Sequence, residues 1–223
     1  MKAQATDPRS WLETTPAKQF RTGEYGKHIT YFPSRKSGAM VPCESFLEAD
    51  FCLYLEYLPR VRRYSRSPVR FILKGGSSTP HRYTPDFMAT LYDETVVFYE
   101  IKPDILLAEG KQRDKIQRFQ SALAEHGYLL EIIVESQFRH PALIANLAYL
   151  YHASFGYSDS GIRQVINQVA ESPQKGLSPR QLLSMPAPPA PADIAAAIFL
   201  KKLRTNLNRF FDLDAILRLE SES

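Results

Sequence analysis

Two periodicities alternate along the first part of the chain. Residues 45–58 (SFLEADFCLYLEYL) repeat apolar positions at helical spacing; Ser45 with Glu48 three residues later has the form of a capping box, and Pro59 stops the run. Two short runs, 61–66 and 69–73, read as strands joined near Ser67-Pro68, and GGSSTP (75–80) reads as a turn. Residues 83–92 and 96–101 read as strands around Asp93-Glu94-Thr95, a hairpin signature. The spacing predicts an amphipathic helix over 108–126, with Ile116, Phe119 and Leu123 on one face and Gly127 beyond its end. LLEIIVE (129–135) is a buried strand and 140–154 another helix. Ahead of all these, residues 1–25 are polar and aperiodic and read as an arm, and 30–42 as loop with a short extended piece. Helix, hairpin strands, helix, strand, helix is the order of an α/β core, a mixed sheet flanked by helices.

Near residue 154 the pattern turns mainly helical. GIRQVINQVA (161–170) is one helix; SPRQLL starts another, with Ser178 as cap and Pro179 in the first turn. PAPPAPAD (186–193) is a spacer, Asp193 is placed to cap IAAAIFLKKLR, and LNRFFDLDAILRL closes the chain. The expected division is 1–154 and 155–223, without internal repeats.

A hydrophobic fraction of 44% with 12% aromatics, over 223 residues, excludes global disorder. The net charge of +4 is too mild to require a polyanionic partner. Its distribution says more: from Tyr57 to Pro85 there is no Asp or Glu, yet Arg60, Arg62, Arg63, Arg66, Arg70, Lys74 and Arg82 all fall there. Two readings stay open, a polyanion site and strands whose alternate residues merely face water. Cys43 and Cys52, with no apolar leader in MKAQATDPRSW, point to reduced thiols in a cytosolic protein. No stretch is apolar for long enough to span a bilayer; the richest, 143–155, is broken by Asn146 and His152 and reads as a buried helix.

Charge placement in YTPDFMATLYDETVVFYEIK (83–102) changes the picture. Charges avoid the ends of buried strands unless paired or liganded. Folding the hairpin about Asp93 sets Asp86 and Glu100 opposite each other on one face, with Lys102 one pleat along. Opposed carboxylates repel, and a divalent cation between them removes the repulsion. Mg²⁺ suits such a site, because it is often held by one or two carboxylates with waters and substrate phosphate. Lys102 adds positive charge beside a phosphate, so acid, acid and Lys form a minimal set for phosphodiester hydrolysis. Glu48 is a candidate third acid, since Phe51, Cys52 and Leu55 continue its helix face inward; the alternative is local capping with Ser45, and Glu44 is a weaker competitor. His81 and Arg82 are placed to touch a phosphate at the rim. The five histidines lack HxxxH or HExxH spacing, so zinc is not expected, and neither a GxSxG nor a P-loop pattern occurs.

Pro85-Asp86 followed by Glu100-Ile101-Lys102 resembles the PD-(D/E)xK nuclease superfamily. YFPSRKSGAMVPCESFLEADF (31–51), the basic strands around Pro68, HRYTPDF (81–87), YEIKP (99–103), Arg118-Phe119, LLEIIVE and FRHPALIANLAYLY (138–151) also come in the order seen in TnsA-like transposon-end endonucleases. The resemblance implies a restriction-endonuclease-like fold followed by a small winged-helix-like domain. It implies metal-dependent cleavage of the non-transferred strand at the 5′ ends of a transposon. A DDE transposase would process the 3′ ends, and an AAA+ ATPase regulator would be contacted through the C-terminal domain. Carried onto this chain, Glu48, Asp86 and Glu100 are the metal-binding acids for Mg²⁺ (or Mn²⁺) and Lys102 the catalytic Lys. Ser34, Lys36, Arg70, His81 and Arg82 become candidate contacts to double-stranded DNA, in a bacterial cytoplasmic, nucleoid-associated setting without membrane. Two departures stand out: Ser67-Pro68 occupies the place of a frequent Gln-Pro, and Glu100 is Gln in some members. A stand-alone restriction or repair nuclease and a non-catalytic DNA-binding adaptor are the competing functions. Lys201, Lys202, Arg204 and Arg209 leave open whether the C-terminal region touches DNA or protein.

Overall fold

A computed structural model describes residues 12–16, 29–66, 68–73, 81–105, 110–174 and 176–220. Lys74, the 75–80 turn, Ser67 and most of the expected arm lie outside the described residues. The strands are β1 (Leu12–Pro16), β2 (Thr30–Ser34), β3 (Ala39–Cys43), β4 (Val61–Arg66), β5 (Val69–Leu73), β6 (His81–Tyr83), β7 (Phe87–Leu91), β8 (Val96–Lys102), β9 (Leu129–Val134), β10 (Leu203–Arg204) and β11 (Arg218–Leu219). The helices are α1 (Phe46–Tyr57), α2 (Gly110–Glu125), α3 (Pro141–Ala153), α4 (Asp159–Ala170), α5 (Pro179–Leu183) and α6 (Pro191–Phe199). The chain packs as two units, Met1–Cys52 with Arg60–Gln137, and Leu53–Pro59 with Phe138–Ser223. Helix α3 therefore belongs to the second unit, which begins earlier than residue 154. Among the described residues no helix is long and apolar enough to cross a membrane.

The first unit is built on a mixed sheet ordered β4-β7-β8-β9, flanked by helices. β4–β7 and β7–β8 are antiparallel, whereas β8–β9 is parallel and joined through α2, the crossover a parallel pair requires. Val97 to Ile101 are all buried, because both faces of β8 are covered and no polar alternation can survive. On one face Phe51 of α1 lies 5.4 Å from Tyr99 and 5.7 Å from Phe87, ring centre to ring centre. Phe98, the next residue on β8, joins Phe71, Tyr83, Phe119, Leu123 and Leu130 in a second cluster.

Several local expectations change. β1 lies in the expected arm and pairs antiparallel with β5. Residues 30–43 are a hairpin, β2–β3, rather than mostly loop; Gly38 takes the left-handed φ of +62° that its turn needs. The neighbours β4 and β5 do not pair with each other: β4 joins β7, and β5 joins β1 and β6 in a second sheet. The expected strand 83–92 is two strands, β6 and β7, interrupted at Thr84-Pro85-Asp86, where Pro85 has no N–H for a ladder.

The second unit buries Leu147, Leu150, Tyr151, Val165, Val169, Leu182 and Ile198. Ser178 forms the expected cap, a complete capping box with Gln181. Asp193 does not cap its helix: α6 begins at Pro191, and the buried Asp193 carboxylate accepts the Ser158 N–H at 2.8 Å instead. α6 stops at Phe199, short of the expected 203, and Lys201 follows with φ of +56°. The segment after it forms the small β10–β11 ribbon. Gly161 is tied to Asp193, since a Cβ there would lie 2.0 Å from Asp193 Oδ2. Gly161→Ala is therefore expected to cost about 2–4 kcal/mol through overpacking and loss of the Ser158 bond, read as a lower urea midpoint at unchanged m.

Candidate active site

The β7–β8 hairpin turns about Asp93 as the strand pattern predicts: Phe87 pairs with Tyr99, Met88 with Phe98, Ala89 with Val97 and Thr90 with Val96. One more step of this register would set Asp86 opposite Glu100. The ladder changes at that step. The Asp86 N–H donates to the Tyr99 carbonyl at 2.9 Å, and Asp86 Oδ2 accepts the Ile101 N–H at 2.7 Å. The Asp86 side chain thus accepts the Ile101 N–H in place of a main-chain carbonyl and holds its carboxylate against β8.

Glu100 is 5% exposed. Its Oε1 pairs with Lys102 Nζ at 2.5 Å, while Oε2 is buried without a hydrogen bond among the described residues. The buried Tyr83 hydroxyl, on the neighbouring sheet, likewise has no hydrogen bond of ordinary geometry. Burial, then the Glu100 charge, push the Asp86 carboxyl up to about 7, with a smaller push from Glu48; the Ile101 N–H and Lys102 only partly oppose this. Burial pulls the Lys102 ammonium down, but Glu100, Asp86 and Glu48 together outweigh it and its pKa ends raised. Burial, followed by Glu100 and Asp86, raises the Tyr83 phenol. Two acids, a Lys and a phenol thus share one field.

A buried carboxylate oxygen without a donor is costly, and a second carboxylate beside it adds to the cost. A cation relieves both. The donor set at Asp86 and Glu100 is all oxygen, which fits Mg²⁺ or Mn²⁺ held by two carboxylates with remaining positions for water and phosphate. Among the described residues no three His, Cys, Asp or Glu side chains converge to hold a metal ion, so the expected trio with Glu48 is not assembled. Glu48 is held elsewhere. Its N–H donates to Ser45 Oγ at 3.1 Å, and its Oε2 accepts the Glu44 N–H at 2.8 Å, a capping box whose return bond lands one residue early. The same Oε2 accepts Arg66 Nη1 at 2.8 Å, and Arg66 also reaches Glu44 Oε1 at 3.1 Å. Local capping and proximity to the site therefore coexist: Glu48 is clamped, yet its charge is felt by Asp86 and Lys102.

Much of the basic run is consumed within the first unit. Arg60 pairs with Glu131, Arg62 with Glu94, and Arg66 with Glu44 and Glu48. Arg63 Nε donates to Thr90 Oγ1 at 3.4 Å, and Arg70 Nε to Thr84 Oγ1 at 3.3 Å. Ser34 is buried and its Oγ accepts the Ser37 N–H at 3.0 Å, closing the β2–β3 turn; the outward DNA contact expected of it does not fit that burial. Lys36 sits half-buried in the same turn, and Arg82 is exposed on β6, opposite Ile72. The His81 side chain lies outside the described residues.

Asp86, Glu100 and Lys102 are thus brought together, and two further participants are Tyr83 and Arg66. An aromatic residue in HRYTPD carries no signal beyond core packing, so Tyr83 emerges only once β6 is placed beside the hairpin. Arg66 stands in the acid-free run, where its identity as a partner of Glu48 depends on neighbours remote in sequence. No protein-family model and no curated protein matches this chain.

Proposed function

We propose that the chain is a metal-dependent DNA endonuclease of restriction-endonuclease-like fold, cutting the non-transferred strand at the 5′ ends of a transposon. The observation that carries this reading is the Asp86–Glu100–Lys102 group at the end of β7 and β8, with Glu100 Oε2 buried and unbonded among the described residues. The mixed sheet with helices beside it agrees with the fold, and the ordered resemblance to TnsA-like endonucleases supplies substrate and reaction. Asp86 and Glu100 would hold Mg²⁺, and Glu48 would join them if it left Arg66. Bound there, Mg²⁺ supplies positive charge against the scissile phosphate and makes hydroxide accessible near neutral pH. Lys102, a quarter exposed, keeps its ammonium beside the acids and offers it to the charge that builds on phosphorus. Asp86, held by the Ile101 N–H, fixes the geometry of the acid pair. Tyr83 is buried, and its phenol feels the charges of both Glu100 and Asp86.

In this reading a DDE transposase handles the 3′ ends and an AAA+ regulator docks on the second unit, in the bacterial cytoplasm at the nucleoid. The test is strand-specific nicking of labelled transposon ends with both partners and Mg²⁺ present. Asp86→Ala is expected to eliminate the 5′ nick while end binding persists. Nicking at the normal rate by this variant would overturn the assignment, and calorimetry finding no Mg²⁺ or Mn²⁺ uptake with normal DNA affinity would turn the chain into an adaptor.

A further inference from the structure

The second unit carries an opposed pair of like charges of its own, with the sign reversed. In the two-residue ribbon Arg204 of β10 faces Arg218 of β11 directly. Like charges in that position destabilise a strand pair. Among the described residues neither guanidinium has a carboxylate partner. Both line a pocket of about 550 Å³ together with Arg209, Phe210, Asp212 and Asp214. The acids in it are turned to other work. Asp214 binds Arg180 through both oxygens, at 2.7 and 3.0 Å, and Asp212 Oδ1 accepts the Asp214 N–H at 2.9 Å. Glu220, beyond β11, acts instead on Tyr57 and Lys201. With Asp214 paired to Arg180, three arginines share the concavity with one remaining carboxylate, Asp212, and Phe210 lines it 72% exposed.

Planar guanidiniums match phosphate oxygens two at a time, and an exposed aromatic ring offers its face to an unpaired base. We infer that this pocket binds single-stranded DNA, a backbone phosphate on Arg204, Arg209 and Arg218 and a base on Phe210. An acidic peptide would satisfy the arginines but give Phe210 nothing specific, and a duplex would leave the ring without an unstacked base. Binding here does not depend on whether the chain cleaves DNA.

The test is fluorescence anisotropy of the full chain with a fluorescein-labelled oligo(dT), in EDTA, over a salt series. Arg204→Ala/Arg218→Ala is expected to weaken binding at least about tenfold and to flatten log K against log salt by about 0.7 for each phosphate no longer neutralised. Phe210→Ala is expected to weaken binding about tenfold with the salt slope unchanged. Removing the opposed arginines should leave Tm equal or higher; if that variant fails to fold, the exposed Phe210 position still decides the matter. Wild-type affinity in Phe210→Ala overturns the inference, and so does competition by poly-glutamate as effective as by oligo(dT), which would assign the pocket to an acidic protein segment.

Discussion

Lys102→Met should lower strand cleavage by about 10²–10³-fold, the range found when one preorganised charge is removed from a developing oxyanion. The change also falls on folding. Glu100 is buried and its Oε1 has Lys102 at 2.5 Å, while Oε2 already lacks a hydrogen bond among the described residues. Without the ammonium, a charged carboxylate is left beside Asp86 with no cation. Removing one partner of a buried pair typically costs about 3–5 kcal/mol. A double variant separates the two effects: Lys102→Met/Glu100→Gln removes the stranded charge, so much of the stability should return while cleavage is not restored. Stability is read from urea unfolding, and cleavage from single-turnover nicking at saturating Mg²⁺. Full cleavage by Lys102→Met would remove the Lys from the chemistry. Equal stability of the single and double variants would mean that the stranded Glu100 charge costs nothing in the fold.

The part of this site that is legible from residues alone is the part set by period and turn chemistry. Asp93-Glu94-Thr95 fixes the centre of the hairpin, and from that centre Asp86 and Glu100 follow by counting. What counting misses is the break at Asp86, where a side chain enters the ladder. The strands β4 and β5 are recognisable as strands, but their separation into two sheets depends on β1, a five-residue piece of a polar segment whose pairing is entirely non-local. Tertiary context also decides Asp193: its position suits a helix cap, and the Ser158 N–H takes it instead. Glu48 shows the limit most clearly, because capping and a third metal-binding acid are competing readings of one residue: the fold forms the cap, assembles no acid trio among the described residues, and brings only the Glu48 charge to bear on Asp86. Arg66, which clamps Glu48, is one of many arginines in its stretch and becomes distinct only through the acids it reaches.

Raising the pH from 4 to 8 should destabilise the wild-type protein through Asp86, and Asp86→Asn should cancel that component. The carboxyl sits at about 7 in the fold against an ordinary 3.8, pushed there first by burial and then by Glu100. Between these two values the folded state holds a proton that the unfolded chain has released. Stability therefore falls as pH rises through this window and levels off above about 7. A gap of this size corresponds to about 4 kcal/mol at most. Asn copies the protonated side chain and still accepts the Ile101 N–H, so the variant should match wild type near pH 4 and exceed it at pH 8. The difference between the two proteins, followed by urea unfolding across the range, reports Asp86 together with the neighbours that share its field and cancels the titration of remote groups. Mg²⁺ provides the converse. A cation that prefers both carboxylates ionised should raise the wild-type Tm at pH 8, do little near pH 4, and do little to Asp86→Asn at either pH. Parallel pH profiles for the two proteins would mean that Asp86 titrates alike in the folded and unfolded chain. A Mg²⁺ response equal in both would place the cation away from the acid pair.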